Sequence, residues 1–319
     1  RDCLLSRGLG DVYKRQIMKE QGRMRLKREI PFYLMLLPGV VVVFIYSYIP
    51  LGGLIMAFQD FDPTLGIFGS PWVGLSNFDY IFSMPDTAGI IFNTFFIAVL
   101  KIIGGLAVPV LVALMLNEVS VMPVKRTVQT LIYLPHFLSW VILAGVFIDL
   151  LSPTEGIVNR FLGVFGLEPI YFLGDESWFP YTMVLTDVWK EFGFGTIIYL
   201  AALTGIDPTL YEAAVVDGAG RFRQTLHITL PGILPTIVLM TVLALGNVLN
   251  AGFDQIYNLL SPQVYSTGDI IDTMVYRLGL QQVQYSTATA VGLFKSVISF
   301  ALISVSYLLA YKFADYQIF

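Results

Sequence analysis

The sequence predicts an all-α fold: a polytopic membrane protein built as one bundle of six transmembrane helices. Three observations predict it. Of 319 residues, 56% are hydrophobic and 13% charged, against about 25% charged in an ordinary soluble domain, and the mean hydropathy is +0.72. A soluble globule near this length buries only about 75% of the surface its unfolded chain exposes, too little to hide so many apolar side chains. Several runs are long and apolar enough to cross a bilayer, and Lys and Arg collect on one side of them.

Crossing a hydrocarbon core about 30 Å thick at about 1.5 Å per residue takes about 20 mostly apolar residues. Phe32 to Phe58 and Ile233 to Phe253 qualify with no charge, Val128 to Phe147 with only His136, and Ile90 to Leu116 with only Lys101. Pro180 to Leu203 carries Asp187, Lys190 and Glu191, and Ala288 to Tyr311 carries Lys295. Backbone polar groups in lipid must bond internally, so each run is read as a helix. Pro38, Pro50, Pro109 and Pro135 imply bends. Ala288, Gly292 and Ser296 recur every four residues and allow close helix contact.

Orientation follows from the connecting segments. With the N-terminus inside, one side holds Lys19, Arg23, Arg25, Lys27, Arg28, Lys125, Arg126, Arg221, Arg223 and Lys312, and the other only Arg160 and Arg277. Both termini are therefore placed in the cytoplasm of a multi-pass membrane protein. Residues 1–16, which hold the single cysteine Cys3, share neither composition nor periodicity with the rest and read as a non-native prefix resembling a translated adapter, with a natural start at Met18 or Met24. Residues 17–31 form a basic cytoplasmic arm, and residues 32–319 the transmembrane domain. The first apolar run is longer than a signal-peptide core and lacks a small-x-small cleavage site, so it is retained.

Composition excludes several function classes. One cysteine and two histidines cannot supply the ligand sets of zinc or iron–sulfur sites or a disulfide scaffold. A net charge of −4 gives no electrostatic basis for nucleic-acid binding. No Gly-x-x-x-x-Gly-Lys-[Ser/Thr] phosphate loop, Gly-x-Ser-x-Gly or His-Glu-x-x-His occurs, so neither nucleotide hydrolysis nor these hydrolase chemistries are expected on this chain. His136 and His227 are read as packing or interface residues.

The loop of residues 204–232 carries the strongest signal. Asp207 is a natural N-cap, Pro208 suits the first helical position, and Gly218 can adopt the left-handed conformation that ends a helix. A short helix is thus specified at both ends, followed by a second segment, Arg221 to Ile228, before Pro231 and Pro235 mark entry into the membrane. The string Glu212-Ala213-Ala214, then Asp217-Gly218-Ala219, then Ile228-Thr229-Leu230-Pro231 resembles the EAA loop of permease subunits of binding-protein-dependent ABC importers. The resemblance extends to Trp189-Lys190, Ile198 to Leu203, Gly252-Phe253-Asp254-Gln255, Asp272 to Arg277 and Ala288 to Phe294, and within the family to the sugar permeases for oligosaccharides and uronate-containing saccharides.

The resemblance implies a MetI-like bundle in a bacterial plasma (inner) membrane, whose segment around Tyr211, Glu212, Ala213, Ala214, Asp217, Gly218, Ala219 and Gly220 couples to an ATPase. It further implies a second permease subunit in a heterodimer, two ATPase subunits holding ATP and Mg, an extracellular solute-binding protein and a saccharide substrate, with no cofactor bound by this chain itself. An ordinary surface helix is the plainer reading of Glu212-Ala213-Ala214 alone.

Charges within the spans cost roughly 2.5 to 3.5 kcal/mol each at the helix centre, so they should face the bundle interior. Asp187, Lys190 and Glu191 share a helix side and can pair with one another. With Lys101 they form either a polar path for saccharide hydroxyls and carboxylates or an internal ion pair that fixes packing. Asn247, Asn250, Asp254, Tyr276 and Arg277 complete the candidates for substrate contact. The alternative function is an ion-gradient-driven secondary transporter, in which the membrane charges relay protons.

Overall fold

The computed structural model describes residues 29–314, with side chains through Leu308. The prefix of residues 1–16, the arm up to residue 28 and the side chain of Lys312 lie outside the described residues. Two compact units divide the chain, Arg1–Ile55 and Met56–Phe319.

Helix α1 spans Glu29–Phe58, so residues 29–31, assigned from sequence to the arm, already belong to it. In the first unit its apolar side chains are exposed all round, as expected of a helix whose surroundings are not water. Its path widens into a π turn at Phe44–Tyr48, where the Ile49 N–H reaches the Phe44 carbonyl, directly before Pro50. Pro50 lacks an N–H and its ring crowds the carbonyl four residues back, and a wider turn relieves both.

The second unit is helical, with a single isolated β-bridge, Gln59 to Trp72, among the described residues. In order it contains α2 (Ser76–Ser83), α3 (Thr87–Glu118), α4 (Met122–Tyr133), α5 (Trp140–Leu150), α6 (Ile157–Val164) and α7 (Phe179–Leu203). Then follow α8 (Pro208–Val216), α9 (Arg221–Leu245), α10 (Phe253–Leu259), α11 (Ile271–Tyr276) and α12 (Tyr285–Ala314). Helix α3 is the spine, because each of three buried clusters includes its residues. Ile97 and Ala98 pack with Phe147, Phe179, Met183 and Ile256. Ile90 packs with Ile81, Ile271, Met274 and Val291, and Ala113 with Tyr199, Leu203 and Ile233.

Among the described residues, four helices are long and apolar enough to cross a membrane alone, and six spans result if each of two bent pairs counts as one. The expected third span is not one straight helix. Helix α4 runs into a 3-10 turn, Leu134–Phe137, that contains Pro135, and the axis swings by 105° before α5. Pro135 removes a donor, and Ser139 caps a fresh helix by accepting from the Ile142 N–H, so the chain restarts in a new direction. The expected fourth span is α7 itself; at 25 residues it is about 37 Å long.

The fifth span also differs from expectation. Arg221 to Ile228 is not a separate segment, and Pro231 and Pro235 do not interrupt the chain: α9 is continuous from Arg221 to Leu245. A π turn at Thr225–Thr229, in which the Leu230 N–H reaches the Thr225 carbonyl, precedes Pro231 by the same spacing that separates the first π turn from Pro50. The helix then stops at Leu245, eight residues before the expected Phe253, where Gly246 and Asn247 turn the backbone out. Pro109 remains inside α3. Of the small-residue stripe on α12, Ala288 is buried, whereas Gly292 has open space around it.

Helix α7 meets the α4 end at one point of very close approach. A Cβ built on Gly193 would lie 1.9 Å from the Ile132 carbonyl oxygen, a backbone atom that cannot step aside. Gly193→Ala is expected to destabilise the protein by about 1–3 kcal/mol, as overpacking does, read as a lowered Tm in detergent. Gly292→Ala, which meets nothing within 4 Å, should leave Tm unchanged or slightly raised.

Candidate functional site

Two regions hold the residues singled out from sequence: the α8 rod and a pair of clefts around the break after α9. At the rod, the Asp207 carboxylate accepts from the Thr209 N–H at 2.9 Å and Pro208 takes the first turn. At its other end the Gly218 N–H donates to the Val215 carbonyl at 3.0 Å and the Ala219 N–H to the Ala214 carbonyl at 2.8 Å. This is the Schellman pattern, made with Gly218 at φ +74°, a conformation that glycine adopts without strain. The Thr209 amide holds the Asp207 carboxyl below the usual carboxylate range. The cap is therefore intact at neutral pH and weakens only as pH falls through that lowered value.

No residue of α8 is buried. Glu212, Ala213, Asp217, Gly218 and Gly220 are exposed, as are the apolar Leu210, Val215 and Val216, whereas Tyr211, Ala214 and Ala219 are half-buried. The rod leaves α7 at an axis angle of 73°. It is tied to the base of α9 by the Tyr211 hydroxyl, 3.0 Å from Thr229 Oγ1. Just beyond the rod, Gln224 Nε2 donates to the Ala219 carbonyl.

The membrane charges do not form one cluster. Lys101 Nζ, buried on α3, donates to Asp187 Oδ1 of α7 at 3.1 Å, to the Ala251 carbonyl at 2.8 Å and to Gln255 Oε1 of α10. Gln255 Nε2 in turn donates to Thr186 Oγ1 and the Met183 carbonyl. Lys190 and Glu191 go elsewhere: Lys190 Nζ lies 2.7 Å from Glu191 Oε1 and donates to the His136 carbonyl at 3.1 Å. His136 Nδ1 sits 2.7 Å from Glu191 Oε2, its ring stacked on Phe194. Of the pairing expected within Asp187, Lys190 and Glu191, the Lys190–Glu191 pair is made, and only the place of Asp187 is corrected. Asp187 turns toward α3, while its two neighbours secure the α4–α5 corner.

The Lys101 clamp stands at the wall of a cleft of about 390 Å³ lined also by Gly105, Asp187, Met240, Asn247 and Asn250. A second cleft, about 480 Å³, is lined by Asn247, Asn250, Phe253, Asp272, Lys295 and Ser299. Both asparagines belong to both clefts, because the chain that carries them leaves α9 and turns at Gly252, φ +91°. Lys295 pairs with Asp272 at 2.5 Å. Phe253 stacks on Tyr257, which hydrogen-bonds Tyr276 through its hydroxyl at 3.1 Å, and Asp254 is exposed on the first turn of α10. Arg277 stands apart. It is paired with buried Asp269 and lies over the Tyr265 ring, in a third cavity of about 320 Å³ with Asp86.

Sequence reasoning missed Gln255, Asp269, Asp272 and the polar role of His136. Lys295 was a charge in need of a partner, and Asp272, an acid on the segment leading into the same span, was the signal that could have supplied it. Breaking a buried pair from one side costs about 3–5 kcal/mol, so Lys101→Met should lower Tm in detergent markedly. Adding Asp187→Leu should restore part of the loss, and a double-mutant cycle measures the coupling.

Residues 105–315 match the model of the binding-protein-dependent transport system inner membrane component family. The polygalacturonan/rhamnogalacturonan transport system permease protein YteP of Bacillus subtilis (strain 168) is 44% identical over 307 residues, 95% of this chain and 96% of that one. The structure of a bacterial ABC transporter involved in import of the acidic polysaccharide alginate superposes with a TM-score of 0.83 at 40% identity, covering 90% of this chain and 97% of its counterpart. The bacterial alginate ABC transporter in complex with its alginate pentasaccharide-bound periplasmic protein gives 0.82 at 40% identity, covering 90% and 96%. The chain belongs to the binding-protein-dependent transport system inner membrane components, the permeases of ABC importers.

Proposed function

We propose that this permease is one half of the translocation pore of an importer for oligosaccharides, in particular uronate-containing ones. A second, different permease forms the other half, two ATPase subunits bind ATP and Mg, and an extracellular solute-binding protein delivers the sugar. Both termini and α8 face the cytoplasm. The relatives support the substrate class: one is named for polygalacturonan and rhamnogalacturonan, another for the acidic polysaccharide alginate. Asn247 and Asn250 offer amide donors and acceptors for hydroxyls, and the Phe253–Tyr257–Tyr276 group offers aromatic faces for sugar rings. Family membership leaves the ion-gradient alternative without support.

The observation that carries the reading is the α8 rod, capped at both ends, with none of its residues buried, and anchored to α9. A nine-residue helix is marginal in water unless its surroundings hold it. Fixed caps and an apolar, partly acidic exterior suit a rod that sits in a cleft on an ATPase and moves with it. ATP binding then closes the ATPase dimer, α8 follows, and the clefts open alternately to either side without covalent chemistry.

In the reconstituted importer, Glu212→Lys reverses a charge on the exposed rod, and Gly218→Val forces a β-branched residue into the left-handed region. Each should lower ATP hydrolysis stimulated by an acidic oligosaccharide and its binding protein by about tenfold or more, the scale of a lost interface hot spot. Membrane insertion and complex assembly should be retained for Glu212→Lys. Unchanged stimulation in the assembled complex overturns the coupling assignment.

A further inference from the structure

Helix α6 leaves a stripe of large apolar side chains uncovered. Its buried residue is the polar Asn159, 5% exposed. Asn159 Nδ2 donates to the carbonyls of Ile170 at 2.9 Å and Ser152 at 3.0 Å, and Oδ1 accepts from the Ile170 N–H at 2.8 Å. The side chain thus fastens α6 to the loops on either side of it. Val158 and Leu162 are half-buried beside it, but the larger apolar stripe points the other way: Ile157, Phe161 and Val164, spaced i, i+4, i+7, are 65%, 62% and 81% exposed. Phe165 and Leu167 extend the same surface, with Phe165 edge-on to Phe161 at 5.1 Å. A helix on a water-facing surface shows the reverse arrangement, polar out and apolar in.

We infer that α6 lies flat in the membrane–water interface, its Ile157–Phe161–Val164 stripe sunk into phospholipid. Two features favour lipid over a protein neighbour. The stripe follows α5 in the chain after six residues, and α5, which ends at Leu150, itself exposes the apolar Val141, Ile142, Val146 and Ile148, in a protein of an inner-membrane family. Charges also border the stripe instead of matching a partner's shape. Arg160 is exposed one turn from Ile157 and Val164, beside Asp149 and Glu155, and Glu168 closes the far end. An apolar face edged by charge, on a helix of eight residues about 12 Å long, is the form of an interfacial helix and too short for a span. The guanidinium of Arg160 suits a lipid phosphate at headgroup depth. Because α6 is held by Asn159 to the loop joining α5 to α7, lipid would set the depth at which those two helices enter the membrane.

This inference does not depend on the coupling role of α8. The test uses the importer complex purified through this chain and placed in nanodiscs of phosphatidylethanolamine and phosphatidylglycerol. In a Cys3→Ser background, nitroxide labels are attached singly at Ile157→Cys, Phe161→Cys, Val164→Cys and, as an exposed turn control, Thr154→Cys. Collision with oxygen should exceed collision with a water-soluble nickel chelate at the first three, with the opposite order at Thr154→Cys. The unsubstituted complex in nanodiscs carrying a photoactivatable phosphatidylethanolamine should yield lipid adducts on residues 157–167. Preferential nickel access at Phe161→Cys and Val164→Cys would place the stripe in water. Shielding from both reagents, with no lipid adduct, would place a protein partner there. Either result overturns the proposal.

Discussion

A lysine ammonium buried inside a lipid-embedded bundle must find its acceptors within the protein, and Lys101 meets that constraint with three from two other parts of the chain. Its partners on α7 and α10, and the Ala251 carbonyl between α9 and α10, draw the spine helix, its closest neighbour and the turn at Gly252 to one point. In lipid the hydrophobic effect does little to hold helices together, so close packing and polar bonds must do so. Helix α3 illustrates the packing, supplying residues to all three buried clusters. The clamp supplies the polar part, and it fixes where the asparagine-bearing turn sits.

The same constraint explains how prolines shape this protein. A proline in a membrane helix frees a carbonyl that water cannot satisfy, so the chain must restore the bond locally. Before Pro50 and before Pro231 it widens into a π turn, and the helix continues. At Pro135 it closes a 3-10 turn, and Ser139 starts a new helix at 105°. The sharp corner so formed is then held by Lys190, Glu191 and His136, and by the contact of Gly193 with the Ile132 backbone.

Much of this was legible in the sequence, and the unread part has a common cause. The rod was specified locally: Asp207, Pro208 and Gly218 act through bonds to residues within a few positions, so its bounds could be read directly. The apolar spans were legible because lipid thickness sets their length. The bend in the third span was legible in Pro135, though not its size of 105°; the fifth span was misread at its end because hydropathy does not distinguish a helix from an apolar turn, and only tertiary bonds such as Lys101 to Ala251 show where the backbone leaves the helix. The split of Asp187 from Lys190 and Glu191 has the same origin. Helical spacing says which residues share a side, but not that α3 approaches one of them and the α4–α5 corner the other two.

The rod and the clefts are mechanically connected through two helices. Displacement of α8 reaches α7 through the short bend at residues 204–207, and α9 through the Tyr211–Thr229 contact. From Thr229 to Leu245, α9 is an unbroken lever about 24 Å long, and it ends where Asn247 and Asn250 line both clefts. The half of α7 farther from the rod carries Asp187, and Lys101 joins that residue to the segment just beyond the end of α9. Motion of α7 relative to α9 therefore loads the Lys101 clamp directly, and the asparagine turn cannot shift without stretching those bonds or carrying α3 with it. Two stiff arms joined at both ends favour concerted displacement over local bending, which is what a passage that opens to one side at a time requires.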